Sequence, residues 1–289
     1  MLIGWIEVRL RGIVWILTWS HDWSGRALRE RAFRSDSHNR AINNAYLNEV
    51  VEQIPGWLNK FAAACLMDLL DLQNELGWDG SLLEIGVYGG RFCSVLARDA
   101  ARRASHLVGI DPFERFPVNE VHERLLMAVK DAPGSGAAPP RISLFEDISG
   151  NWTPDRLLSV LGERSRFVHI DGSHKRDDVL WDLALADTVM TSNALVAVDD
   201  WLNAQCVGVM EATFQFFQSQ PRASVPFAFV GGKLLLCGCR YAATYKSRLK
   251  GFAATDKTYE QSKRYQHRLK IGIPWIEQPL FGEEIVVLV

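Results

Sequence analysis

The chain has 289 residues, of which 48% are hydrophobic and 23% are charged, a composition typical of a globular protein with one large domain. Its formal net charge of −2 argues against a protein built mainly to coat nucleic acid. Its five cysteines are scattered, and no second pair joins Cys237 and Cys239 in a zinc-binding pattern. We therefore expect reduced thiols and a cytoplasmic location.

The first nineteen residues are apolar in short clusters that charged residues interrupt. Their longest clean run, Ile13 to Leu17, is far shorter than the ~20 residues of a membrane-spanning helix. Alternation from Ile6 to Leu10 predicts an edge strand or a packing arm. This segment is also rich in tryptophan: Trp5, Trp15, Trp19 and Trp23. These rings suit packing or a subunit interface better than a membrane surface, so a homo-oligomer stays open as an option.

Two helical stretches follow. The apolar pattern predicts helices over Ala45 to Ile54 and Trp57 to Leu76, with a stop at Pro55-Gly56 between them. We assign residues 1–77 to an N-terminal arm and helical extension that serves as a lid or an interface.

After Gly77, short apolar runs alternate with amphipathic stretches, which predicts an open α/β sheet with mostly parallel strands, as in Rossmann-like folds. The five runs are Leu82–Gly86, Leu107–Asp111, Ile142–Phe145, Phe167–Asp171 and Ala194–Asp199. Two further apolar runs around Gly231-Gly232, within residues 227–237, predict a closing antiparallel hairpin. The stretch 133–140 is interpreted as a loop. The predicted domain spans residues 78–240, and residues 241–289 form a basic C-terminal extension.

A glycine-rich turn opens the helix after the first run. Glu84, Gly86 and Gly90 frame this turn, and Asp111 ends the next strand. In an open parallel sheet, ligands bind at the carboxyl ends of the strands, and an acid at this offset accepts hydrogen bonds from ribose hydroxyls.

The residues of the turn indicate which nucleoside binds. Tyr88 stands where a dinucleotide motif has its second glycine, so its side chain would crowd a pyrophosphate. Glu84 would repel phosphate but suits an ammonium group. Both features favour S-adenosylmethionine, which has no phosphate. An NAD(P)-dependent oxidoreductase remains the alternative, and a ligand-free turn is the simplest structural interpretation.

The second candidate cluster consists of acids that end the fourth and fifth runs. Asp171 ends one strand, and Asp199 and Asp200 end the other. If these strands are neighbours, three carboxylates crowd one edge of the sheet, and a hard divalent cation such as Mg²⁺ would relieve their repulsion. His174 follows Asp171 by three residues and is the candidate general base, with a neutral ring beside the metal. Helix caps and turns are the structural alternatives for these acids.

The pattern Glu84-x-Gly86-x-x-x-Gly90, with Asp111 after the second strand, resembles class I S-adenosylmethionine-dependent methyltransferases. The resemblance covers about residues 78–240. It implies that the Glu84–Gly90 loop wraps the methionine part of the cofactor and that Asp111 holds the ribose. It also implies an adenine contact after the third strand, for which Asp147 is the candidate and Ser149 an alternative.

The segments Asp171-Gly-Ser-His174 and Val198-Asp-Asp-Trp201 resemble the metal-dependent O-methyltransferases of the macrocin, or antibiotic-sugar, type. That resemblance implies Mg²⁺ ligation by Asp171, Asp199 and Asp200, with His174 as the base. The expected function is Mg²⁺-assisted methylation of a hydroxyl on a small molecule, such as a sugar or another natural product. A non-catalytic binding protein on the same fold is a further alternative.

The basic stretch 240–270 carries nine Lys or Arg residues and two acids, with tyrosines between them. Such a stripe could bind a nucleic acid. A solvated helix face is the more common cause of such a pattern, so nucleic acid and membrane are not favoured as partners.

Overall fold

The computed structural model describes residues 5–10, 13–18, 24–130, 140–218, 222–272 and 276–289, with side-chain surroundings from residue 37 onward. The stretch 133–139, interpreted from sequence as part of a loop, lies outside the described residues, as do Trp19 and Trp23. Within the described part of the chain, no helix is both long and apolar enough to cross a bilayer.

The chain divides into two compact units, residues 1–41 and residues 42–289. The first unit contains strands β1 (Trp5–Leu10) and β2 (Ile13–Thr18), which pair antiparallel. The strand predicted over Ile6 to Leu10 is thus confirmed as β1. Helix α1 (Ser24–Glu49) begins in this unit and ends in the second.

The second unit is built on a nine-stranded sheet. Its strands are β3 (Ser81–Ile85), β4 (His106–Asp111), β5 (Arg141–Glu146), β6 (Ser165–Ile170), β7 (Met190–Val198), β8 (Ser224–Val230), β9 (Lys233–Gly238), β10 (Glu277–Leu280) and β11 (Glu283–Leu288). Its helices after α1 are α2 (Lys60–Glu75), α3 (Arg91–Arg103), α4 (Val118–Lys130), α5 (Pro154–Leu161), α6 (Arg176–Val189), α7 (Val207–Gln218), α8 (Ala242–Thr255) and α9 (Glu260–Ile271).

The strand order is β10-β11-β8-β9-β7-β6-β3-β4-β5. Strands β5, β4, β3, β6 and β7 are parallel, whereas β9 runs antiparallel to both β7 and β8. The prediction of a Rossmann-like, mostly parallel sheet closed by an antiparallel hairpin is therefore confirmed.

Helices cover both faces of the sheet, which explains why its central strands are apolar on both sides. One buried cluster joins the sheet to α2, α3, α4 and α8, and a second joins the opposite face to α5, α6 and α7. Along β3, for example, Leu82 belongs to the first cluster and Leu83 to the second.

The two ends of this unit differ in detail from the sequence prediction. The helix predicted over Ala45 to Ile54 is the end of α1 followed by a short 3-10 turn at Val51–Gln53, and Pro55 follows that turn. At the C-terminus, β11 pairs parallel with β8 and extends the sheet. The sequence showed a short apolar segment at residues 285–289 but gave no prediction of the strand with which it pairs.

Candidate active site

The carboxyl ends of β3, β4, β6 and β7 meet at one edge of the sheet. β3 lies between β4 and β6, so the chain leaves β3 for one neighbour and later returns on its other side. This reversal of strand order is where open α/β sheets bind their ligands. The candidate residues predicted from sequence lie on these elements, except Asp147, which follows the neighbouring strand β5.

The turn after β3 is held by close backbone contacts. Gly86 has φ +88°, and a Cβ atom at this position would lie 1.9 Å from the carbonyl oxygen of Asp171. Gly90 has φ +93° and precedes the first turn of α3. Glycine at position 86 is therefore required by the meeting of the β3 and β6 ends, because any side chain would collide with the backbone.

Asp111 holds this turn from the end of β4. Its Oδ2 accepts hydrogen bonds from the backbone N–H groups of Val87 and Tyr88, both at 2.8 Å, and its Oδ1 accepts from Phe113 N at 2.6 Å. A carboxylate offers about four acceptor positions, so roughly one remains for a ligand hydroxyl. The sequence had suggested contacts to both hydroxyls of a ribose.

Tyr88 points outward from the glycine turn. It adopts φ +50°, is 36% exposed, and its ring lies 5.2 Å from that of Trp57 and 5.1 Å from that of Phe116. These aromatic rings border the turn on its exposed side.

Asp147 follows β5 and stabilises a local turn. Its Oδ1 accepts from the Asn151 amide at 2.7 Å and from Ile148 N at 2.9 Å, and its Oδ2 lies 3.3 Å from Arg156. Hydrogen bonding from Asn151 and these neighbours lowers the pKa of Asp147 despite an opposing desolvation effect. Its backbone N–H donates to the Asp111 carbonyl, so the two acids are adjacent along the sheet edge.

The acids after β6 and β7 converge. Single ligand atoms of Asp171, Asp199 and the buried His169 all lie within 4.8 Å of one another. Burial raises the pKa of Asp171 to about 6, and the neighbouring charge of Asp199 adds to this. Parallel pairing of β6 and β7 thus places these two carboxylates side by side.

His174 lies at the exposed side of this cluster. Its Nε2 is 3.2 Å from Asp200 Oδ2 and 3.8 Å from Asp171 Oδ1, while its Nδ1 is 3.2 Å from Cys206 Sγ. The interaction with Asp171 raises the pKa of His174, burial opposes the rise, and Asp200 adds to it. The neutral ring expected from sequence assumed a neighbouring metal ion; here the neighbours are carboxylates, which favour the protonated ring.

Asp200 occupies an unusual backbone conformation. Its φ is +54°, in the left-handed region that non-glycine residues rarely adopt. The amide of Asn203 donates to its Oδ1 at 2.8 Å, and its own N–H donates to Asp199 Oδ1 at 2.9 Å. This tight turn directs the Asp200 carboxylate toward His174.

A buried line of ionisable groups runs beneath the cluster. His169 Nδ1 lies 2.8 Å from Glu84 Oε1, and His169 Nε2 lies 3.0 Å from Lys233 Nζ. The Lys233 ammonium also contacts the carboxylate of Asp199. Burial opposes ionisation of Asp199, yet Lys233 and His169 together lower its pKa to about 2. Glu84 is therefore engaged with His169 inside the sheet, with 1% of its surface exposed.

A magnesium ion held by all three carboxylates does not fit this arrangement. Asp199 already accepts a hydrogen bond from the Lys233 ammonium through Oδ2 and one from the Asp200 N–H through Oδ1. Asp200 Oδ2 faces His174 and Cys206. A divalent ion bound by Asp199 would have to lie beside the Lys233 ammonium, and like charges at this separation repel. Carboxylate oxygens are suitable ligands for Mg²⁺, but the position next to Asp199 is taken by the Lys233 ammonium.

The sequence prediction missed three members of this site: His169, Lys233 and Cys206. His169 and Lys233 are ionisable residues within otherwise apolar strand segments, Phe-Val-His-Ile and Lys-Leu-Leu-Leu. A buried ionisable residue requires a partner, and that requirement was the available signal. Nothing in the local sequence indicates that Cys206 contacts His174.

Residues 83–201 match a family model described as a methyltransferase domain. No curated protein matches the chain. Similar solved structures include apo CalS11, a TDP-rhamnose 3'-O-methyltransferase in calicheamicin biosynthesis, with 18% identity over 68% of this chain and 92% of that chain and a TM-score of 0.49. The O-methyltransferase TomG from Streptomyces achromogenes, in complex with SAM, shows 19% identity over 68% and 87%, with a TM-score of 0.42. An O-methyltransferase from Bacillus cereus in complex with SAH shows 15% identity over 66% and 89%, with a TM-score of 0.46.

The sheet order and its helical layers form a Rossmann-like α/β fold. The region that matches the methyltransferase-domain model, residues 83–201, includes the glycine turn, Asp111, the converging acids and His174.

Proposed function

We propose that this protein transfers a methyl group from S-adenosylmethionine to a hydroxyl group of a small molecule. The observation that carries the proposal is the position of His174, whose exposed imidazole lies beside Asp171 and Asp200 at the same sheet edge as the glycine turn. A proton acceptor next to a nucleoside-binding turn is what methyl transfer to a hydroxyl requires.

The residues of the turn fit the cofactor. Asp111 keeps about one acceptor position for a ribose hydroxyl, and Tyr88 replaces the second glycine of a dinucleotide motif, which disfavours a pyrophosphate. The turn from Gly86 to Gly90 would hold the methionine part, whereas Glu84, predicted from sequence to belong to this loop, is engaged with His169, and Asp147 is the proposed neighbour of adenine. When bound, S-adenosylmethionine supplies an electrophilic methyl group on a sulfonium.

His174 is the proposed general base. In its neutral form, which is present above its raised pKa, the ring would accept the proton of the acceptor hydroxyl, and Asp171 and Asp200 beside its Nε2 would stabilise the imidazolium that results. A positioned base contributes about 10²–10⁴ in rate, and holding the two reactants in line contributes ~7–11 kcal/mol. Orientation of the hydroxyl by the site is therefore the larger effect.

The acceptor class follows from the sequence resemblance to the macrocin-type enzymes, which favours a sugar or another hydroxylated natural product. The same resemblance implies that Mg²⁺ assists the reaction. The oxygen donors of Asp171 and Asp200 support it, and the contact between Lys233 and Asp199 opposes it. We assign no step to a metal ion.

Two residues of the basic C-terminal segment favour a small acceptor over a nucleic acid. Arg248 pairs with Asp68 and Glu75, and Tyr245 is completely buried. Side chains engaged in this way are not available to bind phosphates or to stack on bases.

Calorimetric titration with S-adenosylmethionine tests the proposal. The wild type should bind, and Asp111→Ala should bind about 10–100-fold more weakly, since a hydrogen bond to a charged group contributes roughly 1.5–3 kcal/mol. Glu123→Gln, an exposed change on α4, is the matched control and should bind as the wild type does. An absence of wild-type binding, or tight binding of NADH in its place, would reject the proposed function.

A further inference from the structure

Lys233 is a lysine placed where lysines are rarely found. It is the first residue of β9, directly after the Gly231-Gly232 turn, and only 1% of its surface is exposed. Burying an ammonium is costly unless it is paired and hydrogen-bonded. Its partners are the Asp199 carboxylate and, at 3.0 Å, Nε2 of His169.

These contacts continue across four neighbouring strands. In the order β9, β7, β6 and β3, the side chains are Lys233, Asp199 at the end of β7, His169 and Glu84. His169 lies directly opposite Glu84 in the β6–β3 register. An ammonium only donates, so His169 accepts at Nε2 and donates from Nδ1 to Glu84. The direction of every hydrogen bond in the line is thus determined by the lysine.

The same lysine compensates the repulsion between the carboxylates of the acid cluster. Asp171 and Asp199 offer ligand atoms within 4.8 Å of each other, and two carboxylates so close require a compensating cation. The side chain of Asp199 is 22% exposed, whereas that of Lys233 is 2% exposed, so the ammonium meets the cluster from inside the protein. A metal ion would have to enter from the solvent side and share Asp199 with it.

We propose that Lys233 is a built-in cation that takes the position of a divalent metal beside Asp199 and Asp171, so that this site works without a bound metal ion. The catalytic meaning of this inference rests on the proposed methyl transfer. Lys233 is a positioning residue, because its buried ammonium reaches Asp199 and His169 and does not reach the exposed side where an acceptor would bind.

Titration with Mn²⁺ alone, followed by electron paramagnetic resonance with Mg²⁺ as competitor, tests this proposal without any acceptor. The wild type should show no saturable Mn²⁺ site up to millimolar concentration. Lys233→Met removes the ammonium, frees Asp199 and should create a site at least tenfold tighter than any in the wild type. The double variant Lys233→Met/Asp199→Asn should lose that site. Lys263→Met, an exposed lysine on α9, is the control and should behave as the wild type.

A saturable wild-type site that Mg²⁺ displaces and that Asp199→Asn abolishes would overturn the proposal, as would a folded Lys233→Met variant that gains no site. Mn²⁺ binding that persists in Asp199→Asn comes from a site elsewhere in the protein and is not evidence for a metal site at Asp199. If Lys233→Met does not fold, the comparison of wild type with Asp199→Asn decides alone: binding that depends on Asp199 refutes the inference, and its absence supports it. S-adenosylmethionine affinity, measured separately, reports on the proposed function, so each can fail without the other.

Discussion

The imidazole of His169 on β6 and the carboxylate of Glu84 on β3 form a buried hydrogen bond of 2.8 Å between adjacent parallel strands. Neither side chain is more than 2% exposed. Burial raises the pKa of Glu84 well above its usual value, although the Cys93 thiol opposes the rise, and burial together with Lys233 lowers that of His169. The pair therefore connects two strands at the centre of the sheet through groups that water does not reach.

Removing the acceptor should weaken the fold. Glu84→Leu leaves the His169 Nδ1–H buried and unpaired, which costs about 1–3 kcal/mol of unfolding free energy. Glu84→Gln keeps an acceptor oxygen and should retain most of the stability. Urea denaturation of the three proteins measures the difference. Equal stability of the Leu and Gln variants would show that the hydrogen bond does not hold the strands together.

The sequence predicted which residues lie at the carboxyl ends of the parallel strands, but it did not predict how the C-terminal strands pair. Apolar runs that end in an acid located β4, β6 and β7, and because neighbouring parallel strands end at the same edge, the meeting of Asp171 with Asp199 followed. The pairing of β11 with β8 joins segments more than fifty residues apart, and no local pattern reports such a partner. A lysine in the apolar strand β9 indicated that some partner exists, but not that the partner is Asp199, because β9 reaches Asp199 only through its position between β8 and β7.

Gly86 should be the least replaceable glycine of the turn. An alanine Cβ there would lie 1.9 Å from the Asp171 carbonyl oxygen, in addition to the strain of φ +88°. Gly162, at the end of α5, has φ +78° and no heavy atom within 4 Å of an added Cβ, so it isolates the strain alone.

We expect Gly162→Ala to cost about 1–2 kcal/mol of unfolding free energy, the penalty of the left-handed conformation. Gly86→Ala should cost clearly more, because the ends of β3 and β6 must separate. Thermal denaturation of both variants measures this. Equal costs would mean that the backbone at the site edge relaxes freely, contrary to the close approach described here.

Asp182 on α6 should make stability depend on pH. It is completely buried and neither carboxylate oxygen has a hydrogen bond of normal geometry, so burial raises its pKa to about 7, with partial opposition from Ser149. Since the folded state binds the proton more tightly than the unfolded chain, stability falls as pH rises from about 4 to about 7. The loss approaches about 4 kcal/mol at a cost of 1.36 kcal/mol per pKa unit.

Asp182→Asn removes this titration. The difference in unfolding free energy between variant and wild type should grow in favour of the variant from pH 4 to 7 and then level off. Urea denaturation at a series of pH values measures it, with Glu123→Gln as the exposed control, whose difference should stay flat. A flat difference for Asp182→Asn as well would mean that the carboxyl finds a partner or is reached by water.

His174→Ala separates catalysis from cofactor binding. The ring contacts Asp171, Asp200 and Cys206 at the exposed side of the cluster and contributes no contact to the glycine turn among the hydrogen bonds and ion pairs of the described residues. S-adenosylmethionine affinity should therefore stay within about twofold of the wild type. Methyl transfer from labelled S-adenosylmethionine into a cell extract should fall by about 10²–10⁴, the usual contribution of a general base. Retained transfer would remove His174 from the proposed mechanism, whereas binding without transfer in the wild type itself would favour a non-catalytic protein on this fold.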